Sequence, residues 1–163
     1  MPRAPAAVKA KFARSEKPAA KREPKPKHHP LVKLGYVDAN GVAPSLYVLV
    51  ERGAHRRPRI AKRMRGRVEL RFKEGFARVR IDFGTEHVVV QDAHKDDDAG
   101  KPDLIIQGSL PDIVQLAAAP LAGGVPKLTD ARGRAALASV AGRRVKIEGS
   151  PLLARRLLRL LEI

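Results

Sequence analysis

The chain has no cysteine and no tryptophan, and aromatic residues make up only 4% of its 163 positions. Without cysteine there can be no disulfide, no thiolate metal centre and no cysteine nucleophile. That composition suits a reducing compartment, and a cytoplasmic protein is the expectation. So few aromatics leave little surface on which unpaired nucleic-acid bases could stack, which argues against specific base readout. Long apolar runs are missing too. No stretch approaches the ~20 residues of a membrane-spanning helix, and the charged N-terminus lacks the apolar segment of a secretory signal.

Catalytic signatures are equally scarce. There is no Gly-x-Ser-x-Gly elbow, no phosphate loop closing on Gly-Lys-Ser/Thr and no strand-linked Gly-x-Gly-x-x-Gly. Gly123-Gly124 precedes Pro126 without opening a helix, so it reads as a turn. Ser139, on an Ala-rich helix, reads as a small packing residue. His94-Lys95-Asp96-Asp97-Asp98 crowds three adjacent carboxylates that cannot all face one ion, and it lacks the spaced ligands of a calcium loop. His28, His29 and His55 have no partners at ligand spacing. No metal, no cofactor and no enzymatic activity are expected.

Negative charge is also in short supply, with 17 acidic against 33 basic residues and a net charge of +16. Residues 1–30 hold nine Lys/Arg against Glu16 and Glu23, and six of the 13 prolines. Such a segment buries too little apolar surface to offset its ordering entropy and reads as a disordered basic tail. Nonspecific contact with a polyanion or an anionic membrane would run through it. The remainder, residues 31–163, is basic as well and reads as one folded domain.

Within that domain the texture changes at Leu31, where Leu31 to Val37 forms a short mixed run before the turn at Asn40-Gly41. Pro44 to about Met64 predicts two short helices meeting near Arg57-Pro58, since a proline there must interrupt the first. Arg67 to Phe72 and Ala77 to Phe83 alternate apolar with charged residues, the pattern of strands buried on one face. With Gly75 left-handed in the loop, a register pairing Phe72 with Ala77 sets Glu69 opposite Arg80 and Arg67 opposite Asp82 on the outer face. A third strand follows at His87 to Gln91, then a polar loop from Asp92 to Pro102, and a fourth strand at Leu104 to Ile106.

Ser109, with Asp112 three residues on, caps the next helix. A loose stretch from Pro120 to Lys127 leads to a helix that starts at Thr129 or Asp130 and stops at Gly142. Arg144 to Glu148 is the fifth strand. Ser150-Pro151 opens the last helix, in which Leu153, Leu157, Leu158, Leu160 and Leu161 share one face and Arg155, Arg156, Arg159 and Glu162 the other. The fold class is α/β (α+β): a five-stranded, mostly antiparallel sheet with one face covered by helices.

This order of elements from Gly66 onward resembles the sterol carrier protein type-two family. The residues that carry the likeness are Pro102 to Ser109 and Ala135 to Ser150, the latter a helix–Gly–strand segment ending in glycine before the final helix. Two departures stand out: a looser segment at Pro120–Lys127, and the ending Leu161-Glu162-Ile163 in place of a peroxisomal tripeptide. The resemblance implies non-catalytic binding of an apolar lipid, of sterol, fatty acyl or isoprenoid type, in a tunnel between sheet and helices. Val68, Leu70, Phe72, Val79, Ile81 and Phe83 would form the sheet wall, Ile113, Leu116 and Leu137 the middle helices, and Leu153 and Leu157 the last. As an alternative it implies an accessory role, with protein partners in lipid or quinone metabolism.

Overall fold

The structure is a computed structural model that describes residues 30–93 and 100–162. The basic tail, all but its last residue, and the His94–Asp98 cluster lie outside the described residues. Four strands carry the alternation that places them: β2 (Gly66–Phe72), β3 (Arg78–Phe83), β4 (His87–Ala93) and β5 (Leu104–Gly108). Val68, Leu70, Val79, Ile81, Phe83, Val88, Val90, Leu104 and Ile106 all point to one face and are buried, while the intervening residues are more exposed. β2 and β3 pair antiparallel in the predicted register, with Glu69 opposite Arg80 and Arg67 opposite Asp82. Gly75, in the loop between them, stands at φ +83°, where an L side chain is strained.

The outer face is laced with ion pairs. Arg67 Nε lies 2.7 Å from Asp82, and Arg80 Nε 3.2 Å from the same carboxylate. Glu69 turns along its own strand to Arg71 (2.6 Å) and diagonally to Arg78 (3.5 Å) rather than to Arg80 opposite.

The sheet has six strands, one more than the sequence predicts. β1 (Leu31–Leu34) lies parallel to β4 at the edge, and β8 (Lys146–Gly149) closes the other edge against β5. The order is β1-β4-β3-β2-β5-β8, with parallel pairs β1–β4 and β2–β5 and antiparallel pairs elsewhere. β1 escaped the pattern because four residues with only Val32 buried carry no legible period. β8 begins two residues later than expected. Arg143 takes φ +56°, and the N–H groups of both Arg144 and Val145 donate to the Ser139 carbonyl, so those residues finish a turn instead of opening a strand. The stretch read as loose, Pro120 to Lys127, holds a two-stranded hairpin, β6 (Leu121–Ala122) and β7 (Val125–Pro126), turning on Gly123 and Gly124 with φ of +62° and +86°.

Of the five helices, α1 (Ala43–Arg56), α3 (Leu110–Ala117) and α5 (Pro151–Leu161) pack on the inner face, while α2 (Pro58–Arg63) packs on α1 and α5, and α4 (Ala131–Ala141) on α3 and β7. The break at Arg57-Pro58 falls where the proline places it. Ser109, Asp130 and Ser150 cap α3, α4 and α5 through their side-chain oxygens. Ser139 does more than pack: its buried hydroxyl accepts from Arg144 at 2.9 Å and lies 3.4 Å from Asp112, joining α3, α4 and the turn before β8.

α1 has no capping side chain of its own, and β4 supplies one. Asp92, assigned by the sequence to a polar loop, is instead the last inward-facing residue of β4 and is buried. Its carboxylate accepts from the N–H of Asp38 (3.0 Å) and of Ala43 (3.2 Å), holding the loop and the first turn of α1. Asp92→Ala leaves those donors without partners in a buried place and is expected to cost about 2 kcal/mol. Urea denaturation against the parent chain measures it; a loss under about 0.5 kcal/mol would assign the anchoring of α1 elsewhere.

Candidate functional site

The helical cover does not seat everywhere with equal closeness. Between the β2–β5 half of the sheet and helices α1, α3 and α5 lies a cavity of about 50 Å³. Leu70, Phe72 and Ile106 rise from the sheet; Leu46 and Leu49 come from α1; Leu110, Ile113, Val114, Leu116 and Ala117 from α3; and Leu157, Leu158 and Leu161 from α5. Every described residue on its wall is apolar. Its size is far below the ~300–1,000 Å³ of an ordinary ligand pocket, so a lipid chain would enter only if the cover moved outward.

α3 is about two turns long and leaves Val114 51% exposed although that side chain also lines the cavity. Leu110, Leu49 and Phe72 are half-buried at the same rim, whereas Leu70, Leu116 and Leu157 at the floor are 1–2% exposed. The site therefore has a dry floor and an apolar lip.

The residues expected to line a lipid site divide three ways. Leu70, Phe72, Ile113, Leu116 and Leu157 meet around the cavity. Val68, Val79, Ile81, Phe83 and Leu153 are buried in the solid part of the core and do not reach it. Leu137 is half-buried on α4, outside both the buried core and the cavity wall.

Several lining residues were not anticipated. Leu110, Val114 and Ala117 join the expected Ile113 at i, i+4, i+7 and i+3, a helical stripe that was available to be read. Leu46 and Leu49 stand three apart on α1 in the same way. Ile106 was hidden within the run Leu104-Ile105-Ile106, where three consecutive apolar residues conceal which one faces inward.

Among the described residues no three His, Asp or Glu side chains gather as a metal site, and no helix is long and apolar enough to cross a membrane. No buried side-chain polar atom of the described residues lacks a hydrogen-bond partner. The cavity thus offers contact and exclusion of water, with no polar group on its wall to activate a bound molecule.

No family model matches the chain, and no curated protein matches it. Solved structures do match. One titled UbiJ-SCP2 ubiquinone synthesis protein aligns over 74% of this chain and 85% of its own, with a TM-score of 0.51 at 11% identity. Sterol carrier protein 2 from Yarrowia lipolytica, in its apo form, aligns over 76% and 92% with a TM-score of 0.48 at 16% identity. Sterol carrier protein domain 2 of Helicoverpa armigera covers 78% and 91%, with a TM-score of 0.47 at 18% identity. The chain has the sterol carrier protein 2 type of fold.

Proposed function

We propose that this protein binds an apolar lipid, of sterol, fatty acyl or isoprenoid type, between its sheet and helical cover, and performs no chemistry on it. The observation that carries the reading is the all-apolar cavity under α3 and α5, in a fold shared with a sterol carrier type of domain. Each methylene moved from water to such a wall is worth ~0.8 kcal/mol, so a long acyl chain gains on the order of 10 kcal/mol before immobilisation costs. Binding would widen the space by shifting α3 away from α5, exchanging contacts between side chains for contacts with the ligand. The cysteine-free composition supports the cytoplasm as the setting.

Val114 supplies the test. It is half exposed, so Val114→Glu is expected to fold, yet it sets a charge on the lip of the cavity. Affinity for a fluorescent acyl probe should fall roughly tenfold or more, because the carboxylate must be desolvated when the chain enters. Native mass spectrometry of the parent should show copurified lipid that the variant lacks. A parent that carries no lipid and binds no probe sinks the reading.

A second reading rests on the ubiquinone synthesis protein among the solved structures. It supports an isoprenoid-quinone intermediate as ligand and enzymes of that synthesis as partners. A stable complex recovered from cells separates it from a simple carrier, which needs none.

A further inference from the structure

The arginines of the outer sheet face all have carboxylates within ion-pair distance, but Arg159 in the last turn of α5 has none among the described residues. Arg56, Arg57, Arg59 and Lys62 of the α1–α2 elbow face Arg159 of α5 and Glu162, its C-cap, across an open cleft of about 850 Å³. The Gly123-Gly124 turn of the β6–β7 hairpin completes its rim. Five cations thus share one carboxylate.

That carboxylate is already engaged. Glu162 pairs with Arg57 and accepts from the Leu121 N–H at 3.3 Å, while Arg57 also donates to the Arg159 carbonyl. Among the described residues the side chains of Arg56, Arg59 and Lys62 have no ion-pair or hydrogen-bond partner, and all three are exposed. Partial burial opposes ionisation of Glu162, but Arg57, the Leu121 N–H and the charge of Arg159 outweigh it and hold the carboxyl below its ordinary 4.5. The carboxylate stays ionised at neutral pH and fixes Arg57, yet the cleft retains an excess of positive charge.

The walls are built rather than accidental. A Cβ at Gly124 would come within 3.1 Å of the Arg159 side chain and of the Arg155 carbonyl, so the hairpin turn packs directly on α5. Arg156 donates to the Arg63 carbonyl at 3.1 Å, tying α2 to the same helix. Three elements therefore hold several cations around one concavity, at mutual repulsion that a bound anion would relieve.

We propose that this cleft is a phosphate-binding site, distinct from the apolar cavity, which takes a di- or monophosphate group carried either on a lipid head group or on a soluble compound. Arg57, already oriented by Glu162, forms the fixed part of the site, while Arg56, Arg59 and Lys62 close on the phosphate oxygens through charge-assisted hydrogen bonds. The site does not depend on lipid being held in the cavity, and acyl-probe binding and phosphate binding are read by separate assays.

The test titrates the full chain with pyrophosphate by calorimetry, and with phosphatidylcholine vesicles with and without phosphatidic acid by flotation. Arg56→Gln, Arg59→Gln and Lys62→Gln are combined in one variant. Lys101→Gln, Arg132→Gln and Arg143→Gln, removing the same charge elsewhere, form the control. All six side chains are exposed, and thermal melts establish that both variants fold.

The cleft variant should bind roughly tenfold more weakly or worse, and the control within about twofold of the parent. Loss confined to pyrophosphate identifies a soluble ligand, and loss confined to phosphatidic acid vesicles a lipid head group; either upholds the site. Equal losses in both variants would show only diffuse attraction by a basic protein, and a parent that binds neither probe has no such site; either overturns the proposal.

Discussion

Gly53→Ala is expected to destabilise the folded chain by roughly 3 kcal/mol, lowering its melting temperature by about 10 °C. The sign is the informative part. At an exposed position inside a helix, the same change stabilises by about 1 kcal/mol, because alanine loses less backbone entropy on folding. Gly53 is buried in α1 where that helix crosses α5. A Cβ there would collide with the backbone carbonyl of Leu160 and lie 3.1 Å from its Cγ. A side chain could rotate away, but a helix carbonyl cannot, so α1 and α5 must separate along their contact. Gly123→Ala is the comparison, since nothing lies within 4 Å of the added methyl and only its positive φ of +62° is strained. It should cost about 1 kcal/mol. If Gly53→Ala proves neutral or stabilising, the close crossing of α1 and α5 is wrong.

Leu157→Ala is expected to lower stability by roughly 3 kcal/mol while leaving the proposed lipid site more capacious. Leu157 is 1% exposed and stands on the α5 side of the cavity floor. Truncation removes its transfer free energy and adds to a void that the surrounding residues fill only in part. In an empty protein that void is a pure loss. With an apolar ligand it is room already made, so acyl-probe affinity should hold or rise even as the melting temperature falls. The measurement pairs a denaturation series with a probe titration. Should stability and probe affinity fall together by comparable amounts, Leu157 would be packing alone, and the space beneath α5 would not be where the ligand goes. Val114→Glu gives the opposite signature at the lip, with lost affinity and little lost stability.

Much of the architecture was readable because it is written in local terms. Val68 and Leu70, and Val79, Ile81 and Phe83, alternate with charges, and that period fixes both the strands and their buried face. The register of β2 against β3 followed from keeping the apolar residues of both strands on one face across a loop with glycine at 75, and the structure keeps it. Ser109, Asp130 and Ser150 announce helix starts because a side-chain oxygen must meet the orphan N–H groups of the first turn.

The elements that escaped are those whose stability comes from elsewhere. β1 is four residues long and exists by pairing with β4; β6 and β7 are two residues each and turn on two left-handed glycines against α5. Asp92 looked like the start of a polar loop because its partners, the N–H groups of Asp38 and Ala43, are about fifty residues away along the chain.

The cavity marks the same boundary. Leu70, Phe72, Ile113, Leu116 and Leu157 were expected on one wall and do border the apolar cavity, but Val68, Val79, Ile81 and Phe83 share the strand pattern and lie in the core away from it. Alternation states which side of the sheet a residue faces, and nothing about how closely the opposing helix approaches. The amino-acid order was enough to set the one-sided sheet, the helix boundaries, the apolar face of α5 and the basic charge. Which inward residues border open space, and which of the scattered arginines meet in one cleft, were settled by the packing of α1, α3, α5 and the hairpin. Those distances depend on side chains brought together from remote parts of the chain, and a local period carries no record of them.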